Sequence, residues 1–152
     1  MLQATATGKQ PRLTDDELMT LVQKQTFRYF WDFAHPESGL ARERSNDRLE
    51  IATIGGSGFG VMAIIVGVER GFITREQGAE RLLKIVEFLN KADSYHGIWA
   101  HWMDGATGKT IPFSRKDDGA DLVESAFMFE GLLAAHQYFT HDNPTENRIR
   151  GL

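Results

Sequence analysis

The sequence contains no cysteine among its 152 residues, which excludes disulfide bonds, thiolate nucleophiles and cysteine-ligated zinc. It also has no excess of basic side chains. The formal net charge is −4, so no broad basic surface is available to neutralise phosphates, and a nucleic-acid partner is not expected. No apolar run reaches the roughly 18 residues that a membrane-spanning helix needs. The absence of cysteine is compatible with either the cytosol or export.

The length is sufficient for one domain with a hydrophobic core. Hydrophobic residues make up 41% of the chain and charged residues 25%, as is usual for globular proteins. Residues 1–12 are small and polar and predict a disordered lead-in, which leaves residues 13–152 for the folded domain. Residues 1–10 lack the apolar segment of a signal peptide, so the sequence itself does not fix the cellular location.

Two capping boxes predict the starts of amphipathic helices. Thr14 with Glu17 begins a helix that should end near residue 35, because Pro36 disfavours helical backbone in the residue before it. Thr74 with Gln77 begins a second such helix, which continues to about residue 89. Residues 37–50, between these helices, are charged and aperiodic and predict a loop.

Residues 51–71 combine a glycine cluster with an apolar run. Glycines at positions 55, 56, 58 and 60 precede residues 61–68, which are apolar on every side and therefore predict a buried helix that ends at Gly71. The glycines lack the Lys-Ser/Thr that follows in a phosphate-binding loop, so they indicate close helix packing or close approach to a ligand. A buried helix followed by an amphipathic one predicts an αα-hairpin with an inner and an outer member.

The chain after residue 94 alternates a loop region with helices. Residues 98–113 carry aromatic side chains on both sides of the turn sequence DGATG and predict a small β-hairpin. Residues 118–139 predict a long, mostly apolar helix, and residues 145–152 predict the opening of another.

Four carboxylates lie within eight residues at the start of that long helix. Asp118 is the predicted N-cap, alone or in a capping box with Asp121, while Asp117, Asp121 and Glu124 are spaced i, i+4, i+7 and would share one helix face. Helix capping with solvated charge is one interpretation, and a working acid/base site is the other. Glu124 favours the second, because it lies among apolar residues where a carboxylate has no evident structural purpose.

Aromatic and polar side chains near this cluster are candidates for substrate binding. Aromatic rings can stack on the apolar faces of sugars, although a packed loop would use the same residues. The histidines of the loop are expected to bond hydroxyl groups or the loop itself rather than a metal, and the arginines either reach the acidic cluster or form a solvated charge run. The candidates are Trp99, Trp102, Tyr95, His101, Phe59 and Arg44.

Three blocks of sequence resemble the bacterial glycoamylase-like family, which includes endo-β-1,2-glucanases and a domain of cyclic β-1,2-glucan synthases. The blocks are ATIGGSGFG at 52–60, IWAHW at 98–102 and DLVESAF at 121–127, and the stretch YFWDFAHPESGLARER at 29–44 resembles the N-terminal signature of the family. The resemblance covers nearly all of residues 13–139. It implies an (α/α)6 barrel that hydrolyses β-linked glucan, with β-1,2-glucan as substrate, and needs no metal or cofactor. It also implies that Asp117, Asp121 and Glu124 match positions important for activity, and that the protein is periplasmic or extracellular.

The predicted fold class is therefore all-α, with αα-hairpins that form the N-terminal part of an (α/α)6 toroid and a small β-hairpin near 98–113. Twelve helices with their loops need roughly 200 residues or more, so residues 13–152 are expected to be a partial domain, truncated at its C-terminus, from which the remainder of the barrel is missing. Such a fragment would expose the apolar face of residues 61–68 and be inactive or prone to aggregate. The alternative function is a non-catalytic helical module that binds carbohydrate or a protein partner.

Overall fold

The computed structural model describes residues 12–45 and 48–151. The predicted lead-in at 1–12 lies, except for its last residue, outside the described residues. The elements in chain order are α1 (Asp15–Trp31), β1 (Ile51–Thr53), α2 (Ile54–Glu69), α3 (Arg75–Leu89), β2 (Ser94–Tyr95), β3 (Ile98–Trp99), β4 (Trp102–Asp104), β5 (Thr110–Ile111), α4 (Leu122–Tyr138) and α5 (Pro144–Gly151). The structure is thus helix-rich with a small β-hairpin, as predicted, and it contains further short strands.

Both predicted capping boxes are present. The Thr14 and Thr74 side chains each accept a hydrogen bond from the backbone N–H three residues on. In turn, the Glu17 and Gln77 side chains accept a hydrogen bond from the backbone N–H of Thr14 and Thr74. Helix α1 ends at Trp31, earlier than the predicted residue 35. The chain then forms a loop that is closed by a hydrogen bond from the N–H of residue 35 to the carbonyl of residue 40.

Helix α2 includes the glycine cluster, which therefore lies inside its first two turns rather than before it. Gly71 adopts φ +66 just after the helix, the left-handed conformation that glycine favours at a helix end. The prediction that residues 61–68 are buried on every side is correct only in part. Val61 and Ile64 are buried, whereas Met62 and Val66 are exposed.

The backbones of α2 and α4 approach each other at two glycines. A methyl group on Gly58 would lie 2.3 Å from the carbonyl oxygen of Phe127, and one on Gly131 would lie 2.6 Å from the carbonyl oxygen of Gly58. Real side chains do not pack this closely against backbone, so both positions require glycine. The predicted role of the glycines in close helix packing is confirmed at Gly58.

The hydrophobic core lies between α2, α3 and α4. Helix α3 contributes Leu82, Ile85 and Leu89 from one face and leaves the opposite face polar, as predicted for an outer helix. Helix α2 contributes Ile54, Val61 and Ile64. Helix α1 packs on α2, and α5 packs on α3. No helix in the described part of the chain has the length and apolar character that a membrane crossing requires.

A three-stranded antiparallel sheet joins the start of α2 to the aromatic loop. Strand β4 is central, with Met103 opposite both Ala52 of β1 and Thr110 of β5. A second pair, β2 with β3, places Ser94 opposite Trp99. The β4–β5 hairpin confirms the predicted turn at 98–113, whereas β1 and its pairing were not predicted.

An ion pair between Arg75 and Glu146 fastens α5 to the start of α3. The Arg75 guanidinium donates to both Glu146 oxygens at 2.9 and 2.8 Å, and it also donates to the Tyr138 carbonyl at 2.7 Å. Burial raises the pKa of Glu146, but the bonds from Arg75, from the backbone N–H of His141 and from the side chain of Asn143 outweigh it and hold that pKa at about 2.

We expect Glu146→Gln to destabilise the protein at pH 7 by on the order of 2–3 kcal/mol, because the pKa falls from 4.5 to about 2 on folding. Since the folded-state pKa lies below the unfolded value, the contribution is complete above pH 4.5 and is lost as the pH falls towards 2. Urea unfolding from pH 2 to 7 measures the difference between wild type and variant. The exposed Glu80 of α3 provides the control, Glu80→Gln. A difference that does not change with pH would contradict the assignment.

We expect Gly58→Ala to cost more than the usual 1–3 kcal/mol of core overpacking, because the new methyl group meets backbone atoms that cannot rotate away. Gly119→Ala is the matched control, since a methyl group there meets no atom within 4 Å. Thermal unfolding of both variants measures the effect. Equal melting temperatures for the two variants would show that α2 and α4 are free to separate.

Candidate active site

Helix α4 begins at Asp121, not at Asp118. The Asp121 Oδ1 atom accepts hydrogen bonds from the backbone N–H groups of Val123 (2.9 Å) and Glu124 (3.0 Å), so Asp121 is the N-cap. The predicted cap at Asp118, and its capping box with Asp121, are wrong. The physical reason is that the Asp121 N–H donates to the Trp99 carbonyl at 2.8 Å, which keeps this stretch of backbone extended beside β3.

Asp117 lies in a turn before α4 and does not share a helix face with the other two carboxylates. Its carbonyl accepts from the N–H of Phe113 at 2.8 Å, which closes the turn. The turn nevertheless returns the Asp117 side chain to the start of α4. Ligand-type atoms of His101, Asp117 and Asp121 all lie within 4.8 Å of one another. The convergence predicted from the sequence thus exists for Asp117 and Asp121, but it is produced by the loop rather than by helix periodicity.

Glu124 connects α4 to the beginning of α2. Its Oε2 atom accepts from the Gly55 N–H at 2.8 Å and lies 3.3 Å from the Thr53 hydroxyl. Thr53 is the N-cap of α2 but makes no capping bond itself, so Glu124 satisfies the free N–H group and complements the positive end of the helix dipole. The expectation that this carboxylate has no structural purpose is therefore wrong. A methyl group on Gly55 would lie 2.5 Å from Oε2, which explains the glycine.

His101 lies between two of the carboxylates. Its Nδ1 atom is 3.3 Å from Asp121 Oδ2, and its Nε2 atom is 4.0 Å from Glu124 Oε1. The ring stacks on Phe113 with a centroid distance of 4.2 Å and an interplanar angle of 22°. The three side chains are partly exposed, at 24% for His101, 19% for Asp121 and 18% for Glu124, so they are accessible to a ligand.

Asp121 and Glu124 share one arrangement. Each carboxylate commits one oxygen to backbone N–H groups at a helix start and directs the other towards His101. Such a carboxylate is fixed in position and still has an oxygen available for proton transfer or for a sugar hydroxyl group. His101, Asp117 and Asp121 offer one imidazole and two carboxylates, a donor set that a divalent cation can use, whereas the resemblance to the glucanase family implies chemistry without a metal.

Trp102 is the predicted aromatic residue that lies beside this cluster. Its ring packs edge-on against Phe113 at 4.7 Å and is 5.9 Å from the His101 ring. The indole N–H is buried and has no hydrogen-bond partner within the described residues. Phe113, which the sequence placed beside the hairpin turn but not among the binding candidates, is the ring that joins Trp102 to His101.

The other aromatic candidates lie elsewhere. Trp99 packs against Phe129 at 5.2 Å and borders an apolar cavity of about 290 Å³ between α3, α4 and α5. Tyr95 is 67% exposed and borders a shallow cavity of about 110 Å³ that none of the three carboxylates lines. Phe59 packs against Phe127 at 5.2 Å on an exposed face of α2 and α4.

Arg44 pairs with the adjacent Glu43, and this ion pair raises its pKa. Within the described residues, Arg44 contacts Glu43 and not the acidic cluster, in contrast to one of the two interpretations of this residue. Thr53 and Gly55, which hold Glu124, were not predicted as site residues, although both lie in the block at 52–60 and Gly55 is one of the glycines for which close packing or approach to a ligand was predicted. Their contact with Glu124 joins positions about 70 residues apart, which no local pattern indicates.

No family model matches the chain. Over 139 residues it is 54% identical to an exo-β-1,2-glucooligosaccharide sophorohydrolase (non-reducing end) of Parabacteroides distasonis, a match that covers 91% of this chain and 19% of that protein. A candidate glucoamylase from Bacteroides uniformis is 84% identical with a TM-score of 0.91, over 93% of this chain and 35% of that one.

The endo-β-1,2-glucanase of Chitinophaga pinensis, solved with sophorotriose and glucose, is 52% identical with a TM-score of 0.88, over 92% of this chain and 36% of that one. The chain thus spans about a fifth of the curated relative and about a third of these two solved neighbours. The resemblance predicted from the sequence is confirmed: over more than nine-tenths of its length, the chain is related in sequence and fold to bacterial β-1,2-glucan hydrolases and glucoamylase-like proteins.

Proposed function

We propose that this chain is part of a glycoside hydrolase that acts on β-linked glucan, with β-1,2-glucan as the substrate. The observation that carries the proposal is the convergence of Asp117, Asp121 and Glu124 on a partly exposed site where α2 and α4 begin. The hydrolysis of β-1,2-linked glucose chains by relatives that are 52–54% identical supports the same substrate here.

We further propose that residues 13–152 are a portion of an (α/α)6 barrel. The two apolar helices α2 and α4 lie side by side as inner members, and the amphipathic α3 covers them as an outer member. Concentric rings of helices require this alternation. The starts of the inner helices then lie at one end of the barrel, where Glu124 and Gly55 meet.

The proposed chemistry is acid/base catalysis by carboxyl groups. Cleavage of a glycosidic bond needs one carboxyl group to protonate the leaving oxygen and a second one to activate water or to attack the sugar. Asp121 Oδ2 and Glu124 Oε1 are the two oxygens that the helix starts leave available, and Asp117 supplies a third carboxyl group beside them. We propose these three residues as the carboxyl groups that carry the reaction, without assigning acid and base among them.

Substrate binding is proposed for the aromatic wall beside the carboxylates. Trp102 and Phe113 lie against His101 and together present apolar ring surface next to the acidic oxygens, as a sugar face requires. The side chains of Trp99, Tyr95, Phe59 and Arg44 make the contacts described above with other residues, and their roles in substrate binding stay predictions.

A non-catalytic carbohydrate-binding module is the second candidate. One observation favours it. Asp121 caps α4 and Glu124 caps α2, so the fold would need both residues even if neither had a catalytic role. Turnover distinguishes the two candidates, because a module binds glucan without releasing products.

We expect Asp121→Asn and Glu124→Gln to reduce the hydrolysis of β-1,2-glucan about 100-fold or more, as the loss of acid/base catalysis usually does. Asparagine caps a helix as well as aspartate does, and glutamine still offers an oxygen to the Gly55 N–H, so both variants should remain folded. The measurement is reducing-sugar release by the whole enzyme of which this chain is proposed to be part, because the isolated portion is expected to be inactive, with sophorotriose binding followed in parallel.

Asp118→Asn is the matched control, because Asp118 is exposed and lies in the same acidic segment. It should hydrolyse glucan at the wild-type rate. Sophorotriose binding without any product would favour the binding module. Full hydrolysis by both Asp121→Asn and Glu124→Gln would contradict the proposed chemistry.

A further inference from the structure

The two ring nitrogens of His101 face different carboxylates. Nδ1 is 3.3 Å from Asp121 Oδ2, and Nε2 is 4.0 Å from Glu124 Oε1. These are the oxygens that the helix starts leave available. We propose that His101 is a positioning residue, which orients the available oxygens of Asp121 and Glu124 relative to each other. This inference rests on the proposed function of the same two carboxylates.

The ring is held in place independently of the carboxylates. It stacks on Phe113 at 4.2 Å, and Trp102 packs against the same Phe113 ring. The His101 carbonyl accepts a hydrogen bond from the Ile54 N–H at 3.2 Å, which fixes the backbone of His101 to the first residue of α2. The backbone of His101 is therefore fixed to the same helix start that Glu124 caps, which limits how far the ring can move relative to that carboxylate.

The two distances differ in a way that has chemical consequences. Both exceed the usual 2.7–3.2 Å of an N–H···O bond, and the Nε2 distance exceeds it by more. A neutral imidazole carries one N–H and can turn it towards only one of the carboxylates, whereas an imidazolium presents an N–H to each of them. The position of the ring proton therefore decides which carboxylate oxygen faces an N–H group and which one faces the ring lone pair. An oxygen of Asp117 also lies within 4.8 Å of a nitrogen of this ring.

The helix caps do not depend on His101. Asp121 Oδ1 bonds to the backbone of α4, and Glu124 Oε2 bonds to the backbone of α2. Removing the imidazole leaves all of these bonds intact. A substitution at position 101 should therefore disturb the available oxygens without unfolding either helix start.

Two conservative variants test the inference by a crossed pattern. His101→Asn places an amide near the position of Nδ1, and His101→Gln places one near the position of Nε2. We expect the Glu124 carboxyl ¹³C resonance to move in His101→Asn, where its partner is lost, and the Asp121 resonance to move in His101→Gln. Glu130, which is exposed on α4, provides a reference carboxyl group that should not move in either variant.

In the hydrolysis assay, both variants should lower kcat up to about 100-fold, because misplacement by about 1 Å costs that much, while KM changes little. Carboxyl resonances that stay unchanged, or that move equally in both variants, would overturn the positioning role. Failure of both variants to fold would overturn it too, because His101 would then be structural. A crossed pattern together with full hydrolysis by Asp121→Asn and Glu124→Gln would refute the proposed function and leave the positioning role standing.

Discussion

The close contact between the backbones of α2 and α4 determines where the candidate site forms. Because Gly58 and Gly131 have no side chains, the two helices can approach very closely. A backbone carbonyl oxygen of each helix occupies the space that a methyl group on the glycine of the other helix would need. At this separation, a side chain from the first turn of α4 can reach the first turn of α2. Glu124 spans that gap to the Gly55 N–H. A wider spacing would leave both the N–H group and the carboxylate without partners.

Glu124 has two roles as a consequence. One oxygen satisfies a free N–H group at the start of α2, where the helix dipole favours negative charge. The other oxygen is directed towards His101 and the exposed side of the site. Asp121 repeats the arrangement on its own helix. Because backbone N–H groups fix one oxygen of each carboxylate, the second oxygen is already oriented. These side chains therefore lose less conformational entropy on binding than free side chains would. Structure and proposed chemistry thus use different atoms of the same residues.

Local sequence signals predicted the helices well, but they could not predict contacts between residues that are far apart in the sequence. The capping boxes at Thr14 and Thr74 are complete within four residues and were correct. The predicted start of α4 was wrong, because a hydrogen bond to the carbonyl of Trp99 keeps the backbone extended up to Asp121. The ion pair of Arg75 with Glu146 joins positions 71 residues apart, and no local pattern indicates it. In the site, the acidic residues were recognised by their density, while the contacts that Gly55, Thr53 and Phe113 make there could be found only from the folded chain.

We propose that Asp121 Oδ2 and Glu124 Oε1 are the oxygens that contact the sugar. A crystal structure of the protein with a bound β-1,2-gluco-oligosaccharide would show whether they do. We expect a glycosidic or hydroxyl oxygen within hydrogen-bond distance, about 2.6–3.2 Å, of at least one of these two atoms, with a sugar ring beside Trp102 and Phe113. An oligosaccharide bound elsewhere on the protein, with His101 and both carboxylates untouched, would contradict it.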